Sequence, residues 1–461
     1  MSVSNKFISE MNCIIHGQEI FYRATTEEFP FYSEMGEKEA TIYTFSYERT
    51  NFEKDARRPV LFAFNGGPGV SSAMVHIGAL APERVKMGDA TELSILPPYE
   101  MEPNGGCILD ICDIVVIDAI GTGYSRLLMK AAAKKYFGTI NDCSSFVKVI
   151  SNWLTVHDRW NSPVYLLGES YGTIRNAVLS EMLSADLETG CSCINLSGIV
   201  MLGSAFDHGQ RPYPVDTPVL NFSSIAATYW YHNHREETLP EKEAFLKEAN
   251  TFAYDEYLPA LALGSRLSNE RKEHIKERLS YFTGLDGDTL EDLSLRVDTY
   301  TYPNYAMADK QKVVGRYDGR FVADMPKSRK GESEEDPGFA VFMAAVHHCF
   351  NGIWKKKLNI DMNEEYRSMC NIADGWDFTT PKPVVESLAK AMKRIPSMKL
   401  MLGVGYYDML TTPGFSEYTL AAFDLPKSRT IVQKFEAGHM PYLGSAECDV
   451  FGQKLREFIA L

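Results

Sequence analysis

The chain has 461 residues, enough to bury a large core and more than one structural unit. Its 45% hydrophobic and 23% charged content are those of an ordinary soluble protein, and no run of about eighteen apolar residues is present to cross a membrane. A net charge of −14 argues against nucleic acid or an anionic membrane surface as a partner.

The N-terminal segment, Met1-Ser-Val-Ser-Asn-Lys-Phe-Ile-Ser-Glu10, has no apolar h-region. Up to about residue 55 the chain holds short alternating segments such as Thr41-Ile-Tyr-Thr-Phe-Ser-Tyr47, which read as antiparallel strands. Val60 to Phe64 is apolar and strand-like, and Asn65-Gly66-Gly67-Pro68-Gly69 follows it. No Lys-Ser/Thr pair comes after these glycines, so they do not cradle phosphate. Residues 114–117, 164–167 and 199–202 read as further central strands. Asp142 reads as the N-cap of an amphipathic helix carrying Phe146, Val149, Ile150 and Trp153.

The segment around residue 170 carries the chemistry. Val164-Tyr165-Leu166-Leu167 leads into Gly168-Glu169-Ser170-Tyr171-Gly172, and apolar residues four apart follow at Ile174, Val178 and Met182. Strand, sharp turn and helix around Gly-x-Ser-x-Gly form the context of a nucleophile elbow. Ser170 is the candidate nucleophile, and the Tyr171 N–H is placed to donate to an oxyanion. In this arrangement the loop after an early strand supplies the second donor, for which Gly67 is the candidate.

Around Ser204 the strand pattern stops, and it returns only near Met398. The stretch between is mostly helical in pattern, broken by a polar, charged segment at 327–336 that reads as a mobile loop. Lys399 to Leu402 is then a late strand with Asp408 beyond its end. Ile431 to Phe435 is the last strand, and His439 lies in the loop after it, before a C-terminal helix. Serine, then acid, then histidine, each after its own strand, is the chain order of α/β-hydrolase chemistry. His439 takes the Ser170 proton and Asp408 orients the imidazole. Asp374 and Asp377 are the other acids close enough in sequence to compete with Asp408.

Together, Asn65 to Gly69 with Ser71-Ser72, Gly121-Thr-Gly-Tyr-Ser125, Gly168 to Gly172, Asp408 and Gly438-His439-Met440 resemble the serine carboxypeptidase family, peptidase S10. Gly168 to Thr173, Gly78 to Pro82 and Gln311 to Arg316 are most similar to its bacterial branch. The resemblance runs over nearly the whole chain. It implies a catalytic set of Ser170, Asp408 and His439, oxyanion donors Gly67 and Tyr171, and a peptide C-terminal carboxylate held by Asn65 and Glu169. Glu169 can meet a carboxylate only when protonated, because two carboxylates at hydrogen-bond distance do not both stay ionised. Departures from the eukaryotic pattern are Ala63 for a tryptophan, Val70 for a cysteine, Ala79 for a second glutamate, and a shortened Asp118 to Gly121 stretch. They leave the hydrolase chemistry intact and remove part of the carboxylate-binding network.

Other features have plainer readings. Asp286-Gly-Asp288 fails the calcium-loop pattern, with Leu290 at the fifth position, and reads as an acidic helix start. His347-His348 reads as a packed or half-exposed pair, His232 and His234 lack a third ligand, and Lys355 to Lys357 is a solvated helix face. His76 is placed either to line the pocket or to serve the structure. Nine dispersed cysteines do not form a disulfide framework, and Cys191-Ser-Cys193 is too tight for a zinc ribbon. With the N-terminus, they favour the cytoplasm.

The expectation is an α/β-hydrolase fold: a mostly parallel central sheet with helices on both faces and an inserted, mainly helical cap. Residues 1–204 and 396–461 form its core and 205–395 the cap. The activity expected is a serine-type carboxypeptidase acting through an acyl-enzyme, with a peptide substrate and no metal or organic cofactor. An esterase or acyltransferase with the same triad is the alternative within enzymes. A non-catalytic hydrolase-fold binding protein is the alternative outside them.

Overall fold

The structure, a computed structural model, describes residues 5–51, 57–88, 96–184, 193–206, 217–235, 238–325, 336–372 and 375–460. The charged stretch expected at 327–336 lies outside these residues except for Asp336, as do Cys191 and Asp374.

One large sheet organises the chain. Its main strands are β1 (Lys6–Ile15), β2 (Gln18–Tyr32), β3 (Lys38–Arg49), β4 (Val60–Phe64), β5 (Asp113–Ile117), β6 (Val164–Glu169), β7 (Leu196–Leu202), β8 (Lys399–Gly405) and β9 (Thr430–Phe435). They lie in the order β1-β2-β3-β5-β4-β6-β7-β8-β9. The first three strands and the β3–β5 pair are antiparallel, and every pair from β5 to β9 is parallel. The fold is that of an α/β-hydrolase.

The central strands are buried on both faces, which is why they read as continuous apolar runs. Side chains still alternate with period two and feed two separate cores. Leu61, Ile114, Val116, Leu167 and Val200 enter one face, packed with the C-terminal helix. Phe62, Val115, Ile117, Leu166 and Ile199 enter the other, under α1 (Thr139–Val156) and α2 (Tyr171–Leu183).

Asp142 is not the N-cap of α1, as the sequence pattern suggested. The helix begins earlier, with Gly138 at its N-cap, and Asp142 is buried within the first turn. There it accepts a 2.6 Å hydrogen bond from Arg175 Nε on α2. The side chain resembles a cap in sequence, but its partner is a neighbouring helix.

The residues between β7 and β8 do not pack as one body. Helices α3 (Thr217–Asn233), α4 (Lys242–Phe252) and α5 (Asn269–Thr283) gather around Phe222, Phe245, Phe252, Tyr257 and Phe282 in a third cluster. Tyr407 and Met409, from the loop after β8, close that cluster. In contrast, α6 (Pro337–Cys349) contributes Phe342 and Val346 to the first core, and α7 (Val384–Arg394) contributes Leu388 and Met392 to the second. A hairpin of Lys312–Val314 and Val322–Asp324 interrupts the helices, each strand too short for its alternation to register in sequence. Two further helices follow, α8 (Pro413–Ala422) and α9 (Ser445–Ala460).

Candidate active site

Ser170 stands between the end of β6 and the start of α2 with φ 58° and ψ −125°. A non-glycine residue in this region is strained, and the surrounding contacts hold it there. Ser170 N–H donates to Leu202 O at 2.8 Å, and Thr173 N–H and Oγ1 both donate to Ser170 O. The Ser170 side chain itself is only half-buried.

Asp408 and His439 meet after β8 and β9. His439 Nδ1 lies 2.9 Å from Asp408 Oδ2. Asp408 Oδ1 accepts from the Leu410 and Thr411 N–H groups at 2.7 and 3.0 Å. Thr411 Oγ1 donates to Asp408 Oδ2 at 2.6 Å and lies 3.0 Å from His439 Nδ1. Burial alone would raise the Asp408 carboxyl, but His439 and Thr411 outweigh it and hold the group below its ordinary range. Burial would likewise depress His439, and the Asp408 charge, aided by Glu169 and Asp336, lifts it instead. An ionised Asp408 orients the Nδ1 proton, leaving Nε2 as the acceptor. Gly203, beside Leu202, explains why imidazole and elbow can approach. Its φ is +58°, and a Cβ there would stand 2.6 Å from Thr411 Oγ1 and 2.8 Å from His439 Cε1.

The Asn65–Gly69 loop sits directly against the elbow. A Cβ on Gly66 would fall 2.4 Å from Tyr171 N and 2.7 Å from Glu169 O, so only glycine fits. Arg175 Nη1 holds the start of this loop by donating to Asn65 O at 2.8 Å. The Tyr171 N–H belongs to the first turn of α2, where intrahelical acceptors are lacking.

Asn65 and Glu169 are brought together as well. Asn65 Nδ2 donates to Glu169 Oε1 at 2.7 Å, and Asn65 Oδ1 accepts from Val75 N–H at 2.9 Å. Tyr442 donates its hydroxyl to Glu169 Oε2 at 2.5 Å. Glu169 is 1% exposed, and burial pushes its carboxyl up to about 7, against the lowering effects of His439, Tyr442 and Asn65. The Tyr442 ring packs beside Ala79: a Cβ on neighbouring Gly78 would touch it at 3.2 Å. A phenol therefore reaches Glu169 from beside the position where the family pattern has its second glutamate.

The residues that match the family pattern thus converge in space. Residues 26–234 match the family model described as serine carboxypeptidase, Peptidase_S10. Over that span the chain is similar to the serine carboxypeptidase family. Kex1Δp, a prohormone-processing carboxypeptidase from Saccharomyces cerevisiae, superposes with a TM-score of 0.55 at 14% identity, covering 95% of this chain and 91% of that one. At that identity the likeness is one of fold. Other hydrolases resemble it at lower similarity. The peroxisomal α/β-hydrolase Lpx1 from Saccharomyces cerevisiae gives a TM-score of 0.37 at 10% identity, covering 99% and 88% of the two chains. Proline iminopeptidase from Mycobacterium smegmatis gives 0.35 at 14%, covering 95% and 98%. No curated protein matches the chain in sequence.

Several residues at this site were not singled out by the sequence. Thr411 and Tyr442 lie within three residues of Asp408 and His439, so proximity was the available signal. Arg316 ends the Gln311–Arg316 stretch noted for its resemblance, but nothing in sequence tied it to the site. Tyr317 to Gly319 had no signal, because these residues come from the helical insertion. His439 N–H donates to Tyr317 O at 2.6 Å, Gly438 N–H to Asp318 Oδ2 at 2.8 Å, and Met409 N–H to Arg316 O at 3.0 Å. The Tyr317 ring stands edge-on to His439 with centroids 5.5 Å apart. One strap thus binds both the acid loop and the histidine loop. Asp336, the N-cap of α6, accepts from the Arg316 and Tyr317 N–H groups and holds the strap from behind.

The remaining candidates sit elsewhere. Asp377 is exposed and accepts from Thr379 N–H at 2.9 Å near the start of α1, with no contact to His439. His76 is fully buried, bonded to the Tyr47 hydroxyl and packed among Phe45, Phe350 and Trp354, a structural position. Asp286 caps a short helix by accepting from Thr289 N–H at 2.7 Å. His347 faces Ser368, His232 reaches Gly319 O, and His234 stacks on Trp230.

Proposed function

We propose that this protein is a serine carboxypeptidase that releases C-terminal residues from peptides through an acyl-enzyme. Ser170 Oγ attacks the scissile carbonyl as His439 Nε2 takes its proton, and Asp408 stabilises the imidazolium. The developing oxyanion is received by the N–H groups of Gly67 and Tyr171. His439 then protonates the leaving amine, and water completes the cycle by the same route in reverse. These steps draw only on side chains and backbone.

The observation that carries the exopeptidase reading is the Asn65–Glu169 pair. It is wedged between oxyanion loop and elbow, with Glu169 pushed up to about 7 by burial. A neutral carboxyl is the form that can donate to a peptide's terminal carboxylate. A library of N-terminally blocked peptides, read by mass spectrometry across pH, tests it. Trimming from the C-terminus that weakens as Glu169 ionises is the expected result, and internal cleavage or none overturns it.

A second reading, esterase or acyltransferase, is favoured by one feature. Both Glu169 oxygens are already partnered, by Asn65 and Tyr442. If amidated peptides or simple esters are cleaved as fast as free acids at every pH, that reading replaces the first. Buried thiols at Cys107, Cys112, Cys349 and Cys448 support a reducing, cytoplasmic setting.

A further inference from the structure

A cavity of about 640 Å³ opens between the helical insertion and α6. Three of its lining residues connect it to the catalytic loops. Tyr317 stands edge-on to His439. Leu410 donates its N–H to Asp408. Met369 forms an antiparallel bridge with Val70, at the end of the oxyanion loop. A substrate bound at the elbow therefore has this space beside it.

Its walls are largely apolar, with Val314, Phe339 and Met343 among them, and one of the lining residues is a cation, Arg316. The guanidinium is anchored but not neutralised. Arg316 Nε donates to Thr299 O at 3.1 Å, and its Cζ lies 4.1 Å from the centre of the Tyr300 ring. No carboxylate among the described residues forms an ion pair with it. The nearest acid in the wall, Asp336, spends its oxygens on four backbone N–H groups, those of Arg316, Tyr317, Gly338 and Phe339. An arginine held by its Nε on a ring face presents the two Nη edges as a fork, the geometry that takes a carboxylate bidentately.

We infer that Arg316 is a substrate-carboxylate anchor. It rests on the peptidase reading above and adds to it a second acid-recognising group, whose charge, unlike that of Glu169, persists at all working pH. The carboxylate comes either from the peptide's C-terminus or from an acidic side chain at its last residue, and the substrates separate the two sources.

The test compares N-blocked peptides ending in Leu, in Glu and in Leu-amide, with wild type, Arg316→Gln and Arg316→Lys. Wild type should favour at least one carboxylate-bearing peptide over the amide. Arg316→Gln should cut kcat/KM for that peptide by about ten- to a hundredfold through KM and spare the amide, with Lys restoring part of the loss. Loss confined to the Glu peptide assigns the side chain, and loss on both acids assigns the terminal carboxylate. Equal loss on all three, or none, overturns the inference, as does a wild type indifferent to carboxylates should the variants not fold. If peptides are not cleaved at all while fluorophosphonate still labels Ser170, the peptidase reading fails. The anchor is then read from protection of that labelling in wild type: N-acetylleucine should protect more than its amide, and equal protection overturns the anchor as well.

Discussion

The two sides of the site are built by different means. The elbow side is made almost wholly by the backbone of neighbouring residues. β6 ends, Ser170 turns with positive φ, α2 begins, and the Gly66 loop lies against the turn. The acid–base side is assembled from distant segments. Asp408 and His439 sit in separate loops, and the Arg316–Gly319 strap from the insertion is hydrogen-bonded to both. The elbow thus needs its own strand and helix, the end of β7 and the Gly66 loop, all parts of the central sheet and its edges. The acid–base pair depends on the insertion being folded in place.

The largest effects should strike both sides alike, because in the proposed mechanism the nucleophile and its base act as a unit. Ser170→Ala and His439→Ala should each lower kcat/KM by about four to six orders of magnitude with the fold retained. Ser170→Ala should leave the melting temperature unchanged, and His439→Ala, which leaves buried Asp408 without its imidazole partner, should lower it. Fluorophosphonate should label the wild type at Ser170 alone; labelling elsewhere would reject the assignment. Asp408→Asn should cost about four orders, since it spoils the tautomer without removing the base. Asp377→Asn, at an exposed carboxylate, should leave the rate untouched.

Next come the supports, where the two sides diverge. Arg175 is 1% exposed, pairs with Asp142, and holds Asn65 O. Arg175→Ala strands a buried carboxylate and should cost about 3–5 kcal/mol of stability by chemical denaturation. Asp318→Asn weakens the strap at Gly438 and removes the nearer of the two carboxylate partners of the buried Arg320, the other being Glu447. It should lower kcat about tenfold or more while fluorophosphonate labelling, though slower, still reports an intact elbow. If the rate losses of the two variants prove alike and both track stability alone, the contrast between the sides fails.

The smallest effect is a shift in pH. Catalysis needs neutral His439, so the rate climbs as pH rises through a His439 value lifted above the usual histidine range. Free-acid peptides also need protonated Glu169, so their rates fall as pH passes about 7, whereas amides and esters lack that limb. The Tyr442 hydroxyl lowers Glu169, so Tyr442→Phe should move the falling limb to higher pH, and Glu169→Gln should abolish it. A falling limb unmoved by either variant would assign it to another group.

Local pattern determined much of this molecule. Central strands buried on both faces are continuous apolar runs in any setting, and a strand, Gly-x-Ser-x-Gly and a helix leave the backbone few ways to turn. The order of serine, acid and histidine was equally legible, because each follows its own strand and parallel strands deliver their C-terminal ends to one edge of the sheet. The tertiary structure decided everything that depends on which distant surfaces meet. Asp142 has the look of a cap but is an ion-pair partner, because α2 places Arg175 across from it. Tyr442 reaches Glu169 only because the loop after β9 packs over Gly78. Arg316 to Gly319 become part of the site only because their backbone bonds to two loops some ninety and one hundred and twenty positions further along the chain. Periodicity encodes which way a side chain points within its own element, and carries no information about what stands opposite it.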